Sequence, residues 1–437
     1  MPGRRVLLIV VAGLLCLCVA VAAFSHAWVS AQWRAVVVLS TVLEAPVLSP
    51  VTDLATGEPL IEERRVAGVP ATVARPPGEG PWPALLFVNG ATPRGRDEPA
   101  LQLLAEGLAR AGYVVYVPDL PGLREGEISG ETLEVTVEAA TEIAGSPEAQ
   151  DGRVGFVGVS VGGSLALLAA SDPAMERRTT VVAGLAPYAD LREVMRIATT
   201  RTYRDGGEPR RYETPDYLRL VAARSLAAMI SSEEDRRALL AMLPDSEHYS
   251  PPEEETPDPL AALPAFRVVF GDDLGPEASA ALDLLVNEDP ERFDRLYDRL
   301  EPRMREESRA LSPVYASPDA PVELISAPRD RYFPVPQMRD ITAAEPEARL
   351  TVTPAVSHSE PVPSLGDVPE LLSLNAFVLR SLKEASSTEP SSAEPSRRDM
   401  RETAGPACEG ECTDYARVAR VHSRGTRADG KCVEEGG

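Results

Sequence analysis

Short apolar runs alternate with helical patterns over most of the chain. The runs are bounded by turn residues and predict buried strands at Ala84–Val88, Tyr113–Val117, Val154–Val157, Thr180–Ala183, Val322–Ile325 and Leu350–Val352. Between them, apolar residues recur at helical spacing in Glu98–Ala111, Thr132–Ile143, Ser164–Ala170 and Leu371–Leu382. Apolar strands that alternate with helices predict an α/β fold, with a mostly parallel central sheet covered by helices on both faces.

A charged, mostly helical stretch interrupts this alternation at residues 190–310. Within it, Ser231 and Glu234 have the spacing of a helix capping box, Asp289-Pro290 begins another helix, and Phe266–Phe270 predicts a weaker strand. We therefore predict a helical lid insertion at 190–310, which divides the core into residues 66–189 and 311–382. The apolar faces of its helices either line a pocket or pack on the rest of the domain.

The two ends of the chain differ from its middle. Arg4 and Arg5 precede an apolar run over Val6–Phe24, and tryptophans follow it. This pattern predicts that residues 1–34 form a transmembrane anchor, with the main domain outside the cytoplasm; a cleaved signal peptide and secretion are the alternative. Residues 35–65 read as a linker or N-terminal extension. Residues 383–437, rich in Ser, Glu, Pro and Gly, predict a disordered tail.

Charge and cysteine content exclude some classes of function. The formal net charge of −23 argues against a nucleic-acid partner, because phosphate binding needs clustered Lys and Arg. The five cysteines fall in the first 18 residues or after residue 407, so the main domain has no disulfide and no thiol nucleophile. Cys408, Cys412 and Cys432 lack regular zinc-ligand spacing, and we predict no metal.

One glycine-rich segment contains a candidate nucleophile. Gly158-Val-Ser160-Val-Gly162 lies between a predicted strand and a predicted helix. A serine at so tight a turn needs glycine two residues to either side, and the turn then lifts its hydroxyl above the sheet as a nucleophile elbow. The alternative is a glycine-rich turn in which Ser160 only caps the helix. The chain has neither of the usual glycine patterns of dinucleotide and phosphate loops here.

A serine nucleophile needs a base and an acid that orients the base. His358 follows the last predicted strand and Asp330 follows the strand before it, so both are placed at the carboxyl edge of a parallel sheet. Their alternative roles are a surface-loop histidine and an aspartate paired with a neighbouring arginine. Asp272 and Asp273 compete for the acid, but they lie within the insertion. The chain order Ser160, Asp330, His358 is that of α/β-hydrolases.

From Pro83 to about Leu382 the chain resembles an α/β-hydrolase, nearest to the dienelactone-hydrolase-like and serine esterase branches. The segments that carry the resemblance are LLFVNGATPRG, GYVVYVPDLPG, GFVGVSVGGSLAL, LISAPRDRYFP and TVTPAVSHSE. Asn89 stands where many relatives have histidine before glycine. Ser160 stands where dienelactone hydrolases have cysteine, so their substrate does not transfer to this chain.

The resemblance implies an α/β-hydrolase fold and a serine hydrolase that cleaves carboxylic esters. Ser160 is then the nucleophile, His358 the base and Asp330 the acid, and the backbone N–H groups of Val161 and of Ala91 or Gly90 form the oxyanion hole. Tyr188 and Phe333 are expected to line the substrate pocket. The expected partner is a small-molecule ester, with no cofactor. The alternatives are a peptidase or acyltransferase with the same triad, or a catalytically inactive binding protein.

Overall fold

A computed structural model describes residues 29–43, 49–249, 258–358 and 368–387. The strands in these residues are β1 Leu60–Val66, β2 Val69–Arg75, β3 Trp82–Val88, β4 Val114–Pro118, β5 Ala149–Val159, β6 Thr179–Leu185, β7 Thr202–Asp205, β8 Glu208–Arg211, β9 Val322–Ser326 and β10 Arg349–Val352. Eight of them form one sheet in the order β1-β2-β4-β3-β5-β6-β9-β10. Strands β3, β4, β5, β6, β9 and β10 run parallel to one another, and β2 pairs antiparallel with both β1 and β4.

Helices cover both faces of the sheet. They are α1 at residues 29–42, α2 Ser49–Thr56, α3 Pro99–Arg110, α4 Gly130–Ala144, α5 Val161–Ala170, α6 Leu191–Thr200, α7 Asp216–Ala228, α8 Glu233–Leu240, α9 Leu263–Phe270, α10 Pro276–Leu285, α11 Pro290–Tyr297, α12 Pro302–Ala310, α13 Val335–Ala344 and α14 Val368–Ala385. The predicted fold class, a mostly parallel sheet between helical layers, is confirmed.

The alternation of side chains along β3 shows why both faces are apolar. Leu86 and Val88 join the core that contains residues of α4 and α5, whereas Leu85 and Phe87 join the core that contains residues of α1, α3 and α14. Successive side chains of a strand point to opposite faces, so a strand buried on both faces must be apolar at every position. The continuous apolar runs in the sequence are therefore a consequence of burial on both faces of the sheet.

Two local predictions within the insertion were wrong. Phe266–Phe270 belongs to helix α9, not to a strand; Pro264 occupies the first turn of that helix, where the missing N–H of proline costs nothing. The helix predicted to begin at a Ser231 cap begins one residue later: Ser232 caps α8 and accepts the N–H of Asp235, while the N–H and hydroxyl of Ser231 donate to Glu277. The helix predicted after Asp289 is present as α11.

The N-terminal part of the described chain is folded onto the sheet. We expected a linker over residues 35–65, but residues 35–42 continue α1, whose Ala35, Val37 and Val38 are buried, and Leu60–Val66 forms β1. The sequence of α1 shows only a short apolar stretch, and its burial depends on α3 and α14, which are distant in the chain. Among the described residues, no helix is long and apolar enough to cross a membrane. The apolar run Val6–Phe24 lies outside them. The predicted tail begins within them, because helix α14 continues to Ala385, whereas residues 388–437 lie outside the described residues.

The segment at residues 190–310 is an insertion between β6 and β9 of the central sheet. It contains the hairpin β7–β8, helices α6 to α12 and an undescribed gap at 250–257. Apolar side chains of α10 and α11, among them Leu282, Phe293 and Leu296, are buried in the same core as β3 and α5. Helices α10 and α11 pack mainly against α6, α7, α8 and α9, which belong to the insertion itself.

Candidate active site

Ser160 sits at the turn between β5 and α5 in a conformation that few residues adopt. Its backbone has φ 55° and ψ −126°, in the region of positive φ that is costly for a residue with a side chain. A Cβ at Gly158 would lie 2.6 Å from the Cα of Gly163, and one at Gly162 would lie 2.6 Å from the carbonyl carbon of Val88. Only glycine at both positions allows strand, turn and helix to pack this closely, as the motif predicted.

Asp330 and His358 are joined directly. Nδ1 of the His358 ring lies 2.9 Å from both carboxylate oxygens of Asp330, which is 5% exposed. Oδ1 also accepts the backbone N–H groups of Tyr332 and Phe333, at 2.8 and 3.0 Å. The carboxylate is thus held by its own loop, and Nδ1–H donates to it. This leaves Nε2 as the nitrogen that can accept a proton, and Nε2 is buried without a hydrogen-bond partner in the described part of the chain.

Ser160 and His358 line the same cavity, which has a volume of about 580 Å³. The cavity also touches Gly90, Ala91 and Val161, the residues predicted to supply oxyanion donors. The structure therefore brings the predicted nucleophile, base and N–H donors to one place at the carboxyl edge of the sheet. Asp330 lies directly behind His358 and does not line the cavity.

The backbone around Ser160 can bind a developing negative charge. Val161 is the first residue of α5, so its N–H has no acceptor within the helix, and the helix dipole adds positive potential at this end. Gly90 approaches Ser160 from the β3–α3 loop: a Cβ there would lie 3.3 Å from Cβ of Ser160. The next donor along this loop, the N–H of Thr92, is already bound to the carbonyl of Leu123 at 3.1 Å.

Comparison with known proteins places the chain in a family. Residues 85–372 match the model of the alpha/beta hydrolase family. The chain belongs to that family. It is accordingly a hydrolase, and the resemblance seen in the sequence is confirmed. A comparison with functionally curated proteins finds no match.

Solved structures of α/β-hydrolases resemble this chain distantly. A dienelactone hydrolase from Anabaena variabilis is 15% identical over 75% of this chain and 98% of its own, with a TM-score of 0.36. A bacterial membrane phospholipase A is 18% identical over 84% and 97%, with a TM-score of 0.36. An acylaminoacyl peptidase from Pyrococcus horikoshii is 12% identical over 78% and 44%, with a TM-score of 0.41. These values carry no information on the substrate of this hydrolase.

Aromatic rings surround the imidazole of the hydrolase. The Tyr332 ring lies 4.2 Å from that of His358, between centroids, and Phe333 makes an edge contact at 5.7 Å. Phe333 lines the cavity, as expected, but Tyr188 does not. Tyr188 is fully buried behind Phe333, with its hydroxyl donating to the carbonyl of Leu311 at 2.9 Å. Burial raises the pKa of Tyr188, so the hydroxyl stays protonated and serves as a structural donor.

Two tyrosines near the site were missed by sequence reasoning. The hydroxyl of Tyr212, just after β8, donates to the backbone carbonyl of Asp330. Burial, and secondarily the charge of Asp330, raise the pKa of Tyr212 and keep it a donor at neutral pH. Tyr217 on α7 lines the cavity with a buried hydroxyl that has no partner among the described residues. Neither tyrosine belongs to a motif, and both lie near Asp330 and the cavity because the insertion packs there.

Removal of the Tyr212 hydroxyl tests whether the insertion positions the acid loop. We expect Tyr212→Phe to lower the kcat of hydrolysis about 2- to 10-fold with little change in KM, because one neutral hydrogen bond contributes about 0.5–1.5 kcal/mol and Tyr212 does not line the cavity. Steady-state kinetics on p-nitrophenyl butyrate gives both constants. The matched control is Tyr203→Phe, since Tyr203 packs edge-on against Tyr212 at 5.6 Å. An equal loss in both variants, or none in Tyr212→Phe, contradicts this role.

The other candidates for catalysis and metal binding lie elsewhere. Asp272 and Asp273 are between α9 and α10 and do not line the cavity. Within the described ranges no three His, Cys, Asp or Glu side chains are grouped so as to hold a metal ion. Cys408, Cys412 and Cys432 lie outside the described residues.

Proposed function

We propose that this protein is a serine hydrolase that cleaves carboxylic esters, with Ser160 as nucleophile, His358 as base and Asp330 as the acid that orients His358. The observation that carries the proposal is the 2.9 Å contact of Nδ1 of His358 with Asp330, which leaves Nε2 free beside a cavity that Ser160 also lines. An aspartate bound to Nδ1–H selects the tautomer that a general base needs and stabilises the imidazolium that forms.

The reaction follows from these positions. Oγ of Ser160 attacks the ester carbonyl carbon while its proton passes to Nε2 of His358, and the carbonyl π electrons move onto oxygen. The N–H groups of Val161 and of Ala91 or Gly90 bind this oxyanion. When the intermediate collapses, the bond to the alcohol oxygen breaks, and that oxygen takes the proton from Nε2. Water then repeats the sequence on the acyl-enzyme and releases the carboxylic acid and free Ser160.

Covalent labelling tests the nucleophile. A fluorophosphonate probe reacts with an activated serine, so we expect it to label the wild-type protein and to map to the peptide that contains Ser160. Ser160→Ala should not be labelled. Ser171→Ala is the matched control: Ser171 lies at the opposite end of α5, where its hydroxyl donates to Leu167, and this variant should be labelled like wild type. Labelling of Ser160→Ala at the wild-type level overturns the assignment.

Turnover of two substrate classes separates ester cleavage from the alternatives. We expect p-nitrophenyl butyrate to be hydrolysed with a much higher kcat/KM than a peptide p-nitroanilide. A preference for the anilide would instead make the protein a peptidase. If neither substrate is turned over and no probe is bound, the fold serves as a binding protein and the proposed function is wrong.

A further inference from the structure

The cavity extends well beyond the catalytic end of the sheet. Its floor is formed by strand side chains that point toward α1, α3 and α14, including Phe87, Val157, Leu185 and Ile325. Ser160 follows β5 at the carboxyl edge of the sheet, while Val157 lies three residues back along that strand. The cavity therefore runs from the nucleophile down one face of the sheet, between the strands and the helices.

Three helices form the opposite wall. Leu101, Leu104 and Leu108 line the cavity from α3, and the rise from Leu101 to Leu108, seven residues further along, is about 10 Å. Helix α14 contributes Leu374, Val378 and Leu382. The carbonyl of Leu382 accepts the hydroxyl of Tyr113, which precedes β4 at the edge of the sheet away from Ser160, at 2.7 Å. The lining thus reaches from one edge of the sheet toward the other.

Helix α1 completes this wall with Val38, Leu39 and Val42. It approaches α3 closely at Gly107, where a Cβ would lie 3.2 Å from Cβ of Thr41. The sequence places residues 29–34 in the predicted anchor and residues 35–42 in the predicted linker. It predicts Tyr188 and Phe333 in the pocket lining and leaves open whether the helices of the insertion line the pocket or pack on the domain. In the structure, most of the lining lies on the face of α1, α3 and α14, and the insertion contributes Tyr217, Leu218 and Val221 of α7.

Polar groups are confined mainly to the catalytic end of the cavity. The polar and charged lining residues at this end are Asn89, Thr92, Arg94, Glu98, Ser160 and His358, at the strand ends and in the segment between β3 and α3. Ser381 is the polar side chain on the α14 wall, and its hydroxyl already donates to the carbonyl of Phe377 at 3.0 Å. A polar substrate group in the deep part would lose its hydration without gaining a partner, which is costly, whereas each buried methylene is stabilised.

We infer that the space between the sheet and helices α1, α3 and α14 holds the acyl chain of the substrate. The substrate class is then esters of medium- to long-chain linear carboxylic acids, with the ester carbonyl at Ser160 and the alcohol on the open side. This inference rests on the proposed function. It makes α1 a part of the substrate site, although it precedes the matched family region at residues 85–372.

A series of p-nitrophenyl esters with one leaving group and increasing acyl length tests this inference. We expect kcat/KM to rise about fourfold for each methylene that enters the cavity, or on the order of 10²-fold from butyrate to octanoate. A flat series, or one that falls from acetate onward, overturns the inference.

Two substitutions that fill the cavity test the same inference by changing the protein instead of the substrate. Val378→Trp on α14 and Val42→Trp on α1 place a large ring at half-buried lining positions. We expect each to lower the ratio of kcat/KM for octanoate to kcat/KM for acetate at least about tenfold. Leu372→Trp is the matched control, because Leu372 lies on α14 but is 61% exposed and outside the cavity lining. Equal loss on acetate and octanoate in both cavity variants contradicts the inference.

The outcomes separate this inference from the proposed function. Suppose that the acetate ester is hydrolysed and the probe labels Ser160, but kcat/KM depends neither on acyl length nor selectively on the two cavity substitutions. The inferred acyl site is then wrong, and the proposed esterase function is retained. If no ester of the series is hydrolysed and Ser160 is not labelled, the proposed function itself fails.

Discussion

His358→Ala is expected to lower kcat for ester hydrolysis about 10⁵-fold or more, with the fold intact. In the proposed mechanism, Nε2 of His358 accepts the proton of Ser160, while Nδ1 of the same ring is hydrogen-bonded to Asp330 at 2.9 Å. Without this base the hydroxyl is a poor nucleophile at neutral pH. Members of a triad act as a unit, so we also expect Ser160→Ala/His358→Ala to be no slower than His358→Ala alone.

Steady-state rates on p-nitrophenyl butyrate, with thermal unfolding followed in parallel, check this expectation. Val352→Ala is a suitable control, because Val352 ends the neighbouring strand β10 and is 43% exposed. It should keep both rate and stability near wild type. If His358→Ala retains more than about a tenth of the wild-type kcat while folded, His358 is not the base.

Gly162→Ala is expected to destabilise the protein by about 3 kcal/mol or more and to abolish most activity. A Cβ at position 162 would overlap the backbone carbonyl oxygens of Val88 and Asn89, at the end of β3. Backbone atoms in the middle of a sheet cannot move aside as a flexible side chain can, so α5 must shift and take Ser160 with it. Chemical denaturation gives the free energy of unfolding, and ester hydrolysis gives the activity.

Gly130→Ala is the matched control for this substitution. Like Gly162, Gly130 lies in the first turn of a helix, α4, but no heavy atom lies within 4 Å of the position its Cβ would take, and its φ is not positive. Alanine there should be neutral or stabilise the protein by about 0.4–1 kcal/mol. A Gly162→Ala variant as stable and active as Gly130→Ala would show that the elbow does not need glycine at this position.

Local sequence patterns were sufficient for the elements that carry the site. The run around Val154 predicted β5, the glycines at 158 and 162 predicted the sharp turn, and α5 follows at Val161. Asp330 and His358 could be selected because each follows a strand, and parallel strands end at a common edge. The turn is determined by interactions between residues that are close in the chain. The strands are recognised because burial on both faces requires apolar residues at every position.

The insertion shows where local patterns are ambiguous. The residues Phe266–Phe270 are apolar and partly β-branched, so the sequence favours a strand, yet they lie in helix α9, with Val268 85% exposed. A strand needs a neighbour for its backbone hydrogen bonds, and no described strand lies beside this segment, whereas a helix satisfies its own. Whether this segment forms a helix or a strand therefore depends on its tertiary neighbours, which the local sequence does not show.

By itself, the sequence determined the α/β class, the family, the strand–elbow–helix unit and the chain order of the three site residues. Only the tertiary structure decided that α1 belongs to the core, that Tyr212 holds the Asp330 loop and that the cavity runs beneath α1, α3 and α14. The physical reason is the range of the interactions. Backbone geometry and burial produce a periodic pattern of apolar residues, which can be recognised in the sequence. A long-range contact such as that of Tyr113 with Leu382 produces no such pattern, because neither residue differs in the sequence from others of its type.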